Sequence, residues 1–559
     1  MAYGQGTEVR RGAGPRAPAA PQARGAWPLR ARRRPDWTLV TPPAVTLAVM
    51  LWGIAAPSYW RDESATLSAT DRSIPQLLRM LGRVDAVHGL YYLLLWPVVH
   101  FAGTREFETR LPSAIAMTAA ALGIAVIARR LRSRRAGLYA GLVFAAMPLV
   151  TLQAHDARPY ALETAIAVLA TYLLLRAAEN PTAARFAAYA LSLALLGYMH
   201  LFGLLIIPAH AVAWIPAAGR AGAGHGAGSA GTGGVPEVDA AGLWARWLAA
   251  AAAAGVLLAP LLWLGWRERW AIGWLPPPAG HDLPALAASL AAGTLASAPV
   301  FAGFTVLGTV CADWPDRILR PGWWRRVWRR PVRAARTVAA MAPRARRGER
   351  ALTWVALPWL LLPPAVLLIA AEFKPVYEFM YLEYCLPAVA LLVGAGLAAV
   401  GWPLRLAAFG LIVILGLPAQ FFLRTPLAGG YIRATAQFLA QHERPGDAVY
   451  YPSFGGGVPT WNITYPDGFA GLRVIQLDQT AAQAGRLVGT SLPLPVIERR
   501  LQGVRRLWVV EESPSWVIPR MRLSPDFRQV LSWHHNQMRA RLYVRVRPPA
   551  PHQARSHAP

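Results

Sequence analysis

The sequence predicts an α-helical polytopic membrane protein of about eleven spans, closed by a small C-terminal α/β domain, and three observations carry this reading. Hydrophobic residues fill 55% of the 559 positions and charged ones only 15%, with a mean hydropathy of +0.31. The apolar residues gather in runs of roughly 17 to 25, the length a helix needs to cross ~30 Å of hydrocarbon. Beyond residue 423 those runs give way to alternation and turn residues, the pattern of a soluble α/β fold.

A formal net charge of +28 would suit nucleic acid, but the arginines stand in short blocks between apolar runs. Such blocks follow the positive-inside rule and leave no soluble basic face, so nucleic-acid binding is set aside. Lysine occurs once, at Lys374, in an Ala-, Arg-, Gly- and Pro-rich composition that points to a bacterium. The two cysteines, Cys311 and Cys385, end apolar runs on opposite membrane faces and predict no disulfide. Residues 1–36 read as a disordered cytoplasmic tail without a cleavable signal.

In chain order the expected spans are 41–59, 112–128, 136–152, 160–176, 186–200, 201–217, 244–264, 284–310, 352–371, 385–402 and 404–423. An odd number places the termini on opposite faces. Arg30, Arg32, Arg33 and Arg34 before the first span put the amino terminus in the cytoplasm and Asp62-Glu63 outside. Residues 88–103 are apolar enough for another crossing, but a crossing there would expel the basic block Arg129 to Arg135, so they are read as interfacial. His155-Asp156-Ala157-Arg158 then emerges on the same face as Asp62-Glu63.

Residues 218–243 form a Gly/Ala/Ser-rich flexible cytoplasmic linker. The cytoplasmic loop 313–350 carries twelve arginines interleaved with Trp323, Trp324 and Trp328, and reads as a surface for anionic lipid headgroups. Residues 424–559 make the extracytoplasmic domain, with a helix at 431–441, a turn at Arg444-Pro445-Gly446-Asp447, and strands at 448–451, 473–477, 506–510 and 542–546. This domain assembles no catalytic constellation and reads as a binding or partner module.

Carboxylates at a bilayer rim cost free energy unless used, which singles out Asp62 and Glu63. An outward-facing site has no access to cytoplasmic nucleotide-activated donors, so group transfer there needs a donor carried in the lipid. A polyprenyl-phosphate sugar fits: a carboxylate deprotonates the acceptor hydroxyl, and an arginine stabilises the departing phosphate. Asp62 suits the first role and Arg158 the second.

Four stretches in order carry a family resemblance: Arg61-Asp62-Glu63, Asp85 to Tyr92, Glu106 to Ser113, and Gln153 to Leu162. Together they look like bacterial relatives of the protein O-mannosyltransferases and aminoarabinose transferases, multi-spanning enzymes of the C-type glycosyltransferase fold that use polyprenyl-phosphate sugars. The likeness covers residues 41 to about 210. It implies that Asp62 is the catalytic base and that its neighbour Glu63 orients the acceptor or a cation. His88 matches the histidine of the family's His-Pro-Pro-Leu motif, with Gly89 in place of the first proline. Asp156 and Arg158 match the acidic residue and arginine of its Arg-Glu-Ala-Arg motif. Tyr160 and Arg110 lie in the matching stretches and are carried as substrate contacts, Arg110 having an equal claim as a topological anchor. A family arginine-tyrosine pair aligns with Met380-Tyr381; the arginine is absent, and Lys374 or Arg269 is the candidate replacement.

Ordinary readings stand beside these. Glu372, Lys374, Glu378 and Glu383 could shape the sugar pocket but are expected to remain solvated, and Trp263, Trp266, Trp270 and Trp274 could stack on sugar faces but are expected to form an interfacial belt. No metal is assigned, although Glu63 and Asp156 could offer oxygens to a divalent cation. The expectation is a glycosyltransferase of the bacterial plasma membrane moving a hexose, with mannose the leading candidate, from a polyprenyl-phosphate donor to an extracytoplasmic acceptor. A flippase of lipid-linked intermediates or a catalytically silent scaffold are the alternatives; a transporter should place ionisable groups near the midplane and show repeated halves, and neither is evident.

Overall fold

A computed structural model describes residues 36–224, 239–272, 298–311, 351–452, 457–512 and 526–546. The 1–35 portion of the expected tail and the Arg-rich loop 313–350 lie outside the described residues.

The helices in chain order are α1 (Trp37–Leu51), α2 (Arg61–Thr70), α3 (Ile74–Leu81), α4 (Gly89–Phe101), α5 (Glu106–Leu131), α6 (Arg134–Ala146), α7 (Pro148–Ala154), α8 (Tyr160–Glu179), α9 (Ala183–Met199), α10 (Ile206–Gly224), α11 (Ala240–Arg267), α12 (Ala298–Cys311), α13 (Ala351–Phe373), α14 (Leu386–Ala399) and α15 (Trp402–Phe422). Long enough and apolar enough to cross a membrane are α5, α8, α11, α13, the stretch Phe379–Ala399 that includes α14, and α15. A further crossing arises if α6 and α7, bent by 66°, count as one span. The bend has a local cause: Pro148 forces the preceding Met147 into an extended conformation (ψ 122), which ends α6 and restarts the helix at α7. Three further expected spans fall on shorter apolar helices, α1, α9 and Leu201–Pro216, and of the expected span 284–310 the portion 284–297 lies outside the described residues, so helix length among the described residues does not fix the count at eleven. Helix α4 covers about 20 Å at 1.5 Å per residue, short of ~30 Å of hydrocarbon. The expected linker is narrower than 218–243, because α10 runs to Gly224 and α11 begins at Ala240.

Helix α14 is the hub. Every residue from Leu386 to Ala398 is buried, against α6, α12 and α13. Small residues permit the approach: a Cβ on Gly394 would lie 2.5 Å from the backbone of Ala140, and one on Gly308 2.0 Å from the Leu392 carbonyl.

Past α15 the described residues form α16 (Ile432–His442), four further short helices (Trp461–Thr464, Pro466–Phe469, Ala481–Ala484 and Leu494–Leu501) and seven strands: β1 (Ala448–Tyr450), β2 (Gly457–Val458), β3 (Arg473–Val474), β4 (Gly489–Thr490), β5 (Arg506–Glu512), β6 (Phe527–His535) and β7 (Met538–Arg545). The main sheet runs β3-β1-β5-β7-β6, with β1 parallel to both neighbours and the β5-β7-β6 side antiparallel. The four expected strands correspond to β1, β3, β5 and β7. Strand β6 escapes a sequence reading because it is an edge strand, half exposed and mixed in polarity (FRQVLSWHH). The turn at 444–447 is held by the Asp447 N–H donating to the Arg444 carbonyl (3.0 Å) and the Arg444 N–H donating to Asp447 Oδ2 (3.1 Å), with Gly446 at φ +89.

This region grips the loop that precedes α2. The Tyr465 hydroxyl accepts from the Tyr59 N–H (2.9 Å) and donates to Glu106 Oε1 (2.6 Å). Arg433 donates to the carbonyls of Ala55, Ala56 and Pro57 at 3.0 to 3.1 Å and pairs with Glu106. Residues more than 300 positions away therefore fix where α2 starts.

Candidate active site

Helix α2 begins with the two candidate carboxylates. Asp62 and Glu63 occupy its first turn, where the helix dipole favours carboxylates, and Glu63 Oε2 accepts the Trp60 N–H in a capping-box closure (3.3 Å). Facing it, the turn between α7 and α8 delivers residues 155–158. The two loops meet: Arg158 Nη2 lies 3.8 Å from Asp62 Oδ2, and the Ala157 N–H donates to Glu63 Oε1 (2.9 Å).

Within this meeting the expected site residues separate into two groups. Glu63 and Arg110, each 1% exposed, face one another rather than a ligand. Arg110 donates Nε to Glu63 Oε1 and Nη2 to Glu63 Oε2, both at 2.8 Å; its remaining hydrogens go to the carbonyls of Ile54, Pro57 and Ser58. All five guanidinium donors are used, and each Glu63 oxygen has two partners. In this arrangement the hydrogen-bonding groups of Arg110 and Glu63, expected as a substrate contact and as a ligand for acceptor or cation, are spent on one another and on holding the loop in front of α2. Asp62, by contrast, is 39% exposed at its side chain.

Arg158 is 6% exposed and only partly satisfied. Its Nη2 donates to His88 Nε2 at 3.3 Å, its guanidinium lies 5.9 Å from the Tyr160 ring centroid, and its Nε has no partner among the described residues. A buried guanidinium with spare N–H groups beside an accessible carboxylate has the chemistry to receive an anionic group. His88 Nδ1 is 2.6 Å from Asp85 Oδ1, and Tyr92 donates its hydroxyl to Asp85 Oδ2. Accepting from Arg158 at Nε2 assigns the proton to Nδ1, hence a neutral imidazole with Asp85 as its orienter. Burial pulls the His88 imidazole below its usual range, Asp85 opposing and Arg158 adding to the effect. Asp85 itself adopts the left-handed region (φ 63), a strained placement for a residue with a Cβ, and Glu268 secures the turn by accepting the Ala86 N–H (3.0 Å).

Asp156 is 6% exposed and accepts the Trp60 indole N–H on Oδ1 (3.0 Å). Burial, with the Glu63 carboxylate beside it, pushes its acid up to about 8. The folded chain therefore holds a proton there that the unfolded chain, near pKa ~3.9, releases. This contribution to stability is fully present below about pH 4 and declines as the pH rises toward 8, by up to about 1.4 kcal/mol per pH unit. The melting temperature of the detergent-solubilised protein is expected to fall across that window, and Asp156→Asn to flatten the slope. An unchanged slope in the variant would place the titration elsewhere. His155 does not join the site: its Nε2 donates to the Met50 carbonyl (2.8 Å), and burial pushes its imidazole down to about 4.

Sequence reasoning missed a second tier. His200 stands 6.5 Å from His88 ring to ring, is 3.2 Å from Glu163 Oε1 through Nδ1, and packs 4.9 Å from the Tyr381 ring. Its only signal was a lone histidine between two apolar runs. Tyr381, on the segment Phe379–Cys385, also stacks on Phe202 at 4.9 Å. The expected stand-ins for the absent arginine are turned away: Arg269 stacks on Trp266 (4.6 Å), and Lys374 reaches the Arg269 carbonyl (3.5 Å). Glu383 is not solvated but 2% exposed, with neither oxygen partnered among the described residues. Trp263, Trp266 and Trp270 are more than half exposed, as an interfacial belt requires, and Trp274 lies outside the described residues. Among the described residues no group of three or more His, Cys, Asp or Glu side chains is placed to hold a metal.

The fold has counterparts among solved structures. The crystal structure of apo ArnT from Cupriavidus metallidurans superposes with a TM-score of 0.54 at 12% identity, covering 90% of this chain and 97% of that one. The chain has the ArnT fold, a C-type membrane glycosyltransferase fold. The ArnT structure bound to undecaprenyl phosphate matches at a TM-score of 0.51 and 14% identity, with the same coverage. Within the ArnT-like chain, residues 90–220 match the family model described as dolichyl-phosphate-mannose-protein mannosyltransferase, which takes in α4 to α10 and the turn bearing Asp156 and Arg158. No curated protein matches the sequence.

Proposed function

We propose that the chain transfers a glycosyl group from a polyprenyl-phosphate donor to an acceptor hydroxyl on the extracytoplasmic face of a bacterial plasma membrane, with Asp62 as general base and Arg158 as the phosphate receptor. The observation that carries this reading is the pairing of one accessible carboxylate with one buried, incompletely bonded guanidinium 3.8 Å away. The acceptor oxygen attacks the anomeric carbon, its proton passes to Asp62, and the bond from that carbon to the phosphate oxygen breaks. The electron pair leaves on the polyprenyl phosphate, whose growing charge Arg158 meets, with His88 held by Asp85 behind it. Tyr160 lies against the Arg158 guanidinium, and Asp156 in its neutral form adds no charge to repel the phosphate. Undecaprenyl phosphate in the ArnT structure supports a lipid-borne donor, and the mannosyltransferase model over residues 90–220 supports a hexose, mannose first.

The test is transfer of labelled sugar from a polyprenyl-phosphate donor in membranes holding the wild type, Arg158→Gln or Arg158→Lys. Loss of the fork should lower kcat/KM for the donor by about 10²- to 10³-fold in the glutamine variant, as for removal of one oxyanion donor. The lysine variant should recover part of it, because charge returns without the two-pronged geometry. Equal rates for all three proteins would remove Arg158 from the reaction.

A further inference from the structure

The α2–α3 corner and the C-terminal α/β region enclose a cavity of about 300 Å³ that the transfer chemistry does not use. Tyr451, Phe469 and Leu472 give it aromatic and aliphatic wall, while Asp71 and Asn462 bring a carboxylate and an amide. Arg72 also lines it and is 3% exposed. That arginine is poorly satisfied: Nη1 meets only the Met80 sulfur (2.7 Å), Nη2 donates to the Arg486 carbonyl, and Nε has no partner among the described residues. No carboxylate of the described residues lies within ion-pair distance of it. The neighbouring Asp71 carboxylate offsets part of the cost of burying that charge without forming an ion pair with it, so N–H groups of Arg72 stay open to an anion that a ligand brings.

We propose that this cavity is a subsite for an acid-bearing sugar of a saccharide acceptor, an inference that rests on the glycosyltransferase reading for its purpose but not for its detection. Apolar wall suits the C–H face of a sugar ring, Asp71 and Asn462 suit its hydroxyls, and Arg72 suits a carboxylate on it. Placement agrees: Asp62 starts α2 and Ser68, on the cavity wall, lies about 9 Å farther along the helix at 1.5 Å per residue. An acceptor anchored in the cavity can extend its far end to the base within a few sugar units.

Direct binding to the full-length protein in detergent tests the assignment, with glucuronic acid, glucose and inorganic phosphate as probes by calorimetry or saturation-transfer NMR. Glucuronate should bind with a Kd of about 1 mM, glucose at least about tenfold more weakly. Arg72→Gln should abolish the preference, and Asn462→Ala, at an exposed position that does not threaten folding, should weaken both sugars. No glucuronate binding, glucose binding equally well, or phosphate alone matching glucuronate would each overturn the proposal. Because the readout needs neither donor nor turnover, absent transfer by the wild type would refute the enzyme reading while leaving this result to stand or fall by itself.

Discussion

Membranes carrying Asp62→Asn are expected to transfer sugar about 10²- to 10⁴-fold more slowly than wild-type membranes, the range for loss of a positioned general base. The substitution keeps size and polarity and removes only the capacity to take a proton. Asp62 is half-exposed on the first turn of α2, and its one ion pair among the described residues, with Arg158, is at 3.8 Å, so the folded chain should lose little stability. Rates in membranes with a labelled lipid-linked donor, normalised to protein amount, check this. Arg158 and His88 remain in place in the variant, so donor KM should change far less than kcat. Wild-type rates in Asp62→Asn would move the base elsewhere; a collapse in protein level would assign Asp62 to folding instead.

Glu63→Gln should act in the opposite way, through stability. The glutamine is nearly isosteric but leaves Arg110, 1% exposed, without its charge partner; breaking a buried pair from one side costs about 3–5 kcal/mol. The loss reaches the site because Glu63 ties three elements together: the Trp60 N–H, the Ala157 N–H and the Arg110 fork on α5. A large drop in melting temperature is expected, with activity falling alongside folded protein. Adding Arg110→Met removes the stranded charge and should recover much of the stability, though not the loop geometry. If Glu63→Gln melts as the wild type does and still loses activity, Glu63 works on the substrate after all.

The two neighbouring carboxylates show where sequence reading stops. Asp62 and Glu63 are equal in charge and adjacent in the chain, and both read as functional because acids at a bilayer rim are expensive. Their roles diverge by helix geometry: in the first turn of α2 one side chain faces the accessible side and the next turns about 100° toward α5. Arg110 belongs to the same case, since nothing local distinguishes an arginine that anchors topology from one saturated inside the fold. His200 and Glu163 were illegible because each acquires meaning through a partner on another element, whereas Asp85 stood in a legible stretch and only its contact with His88 was not evident. Glu383 looked solvated for the same reason: only packing shows whether a polar residue near a span end meets water.

Composition and run length alone determined that this is a multi-spanning membrane chain with an α/β region at its end, because hydrocarbon thickness and backbone hydrogen bonding leave few other solutions. The four ordered motifs pointed to the same family of folds that superposition on ArnT shows. The tertiary structure decided which acid stays accessible, which is locked to Arg110, and how the C-terminal region grips the loop before α2 through Tyr465 and Arg433. Those are contacts between residues 47 to more than 400 positions apart, and their energies depend on distance and burial, quantities that one-dimensional order does not encode.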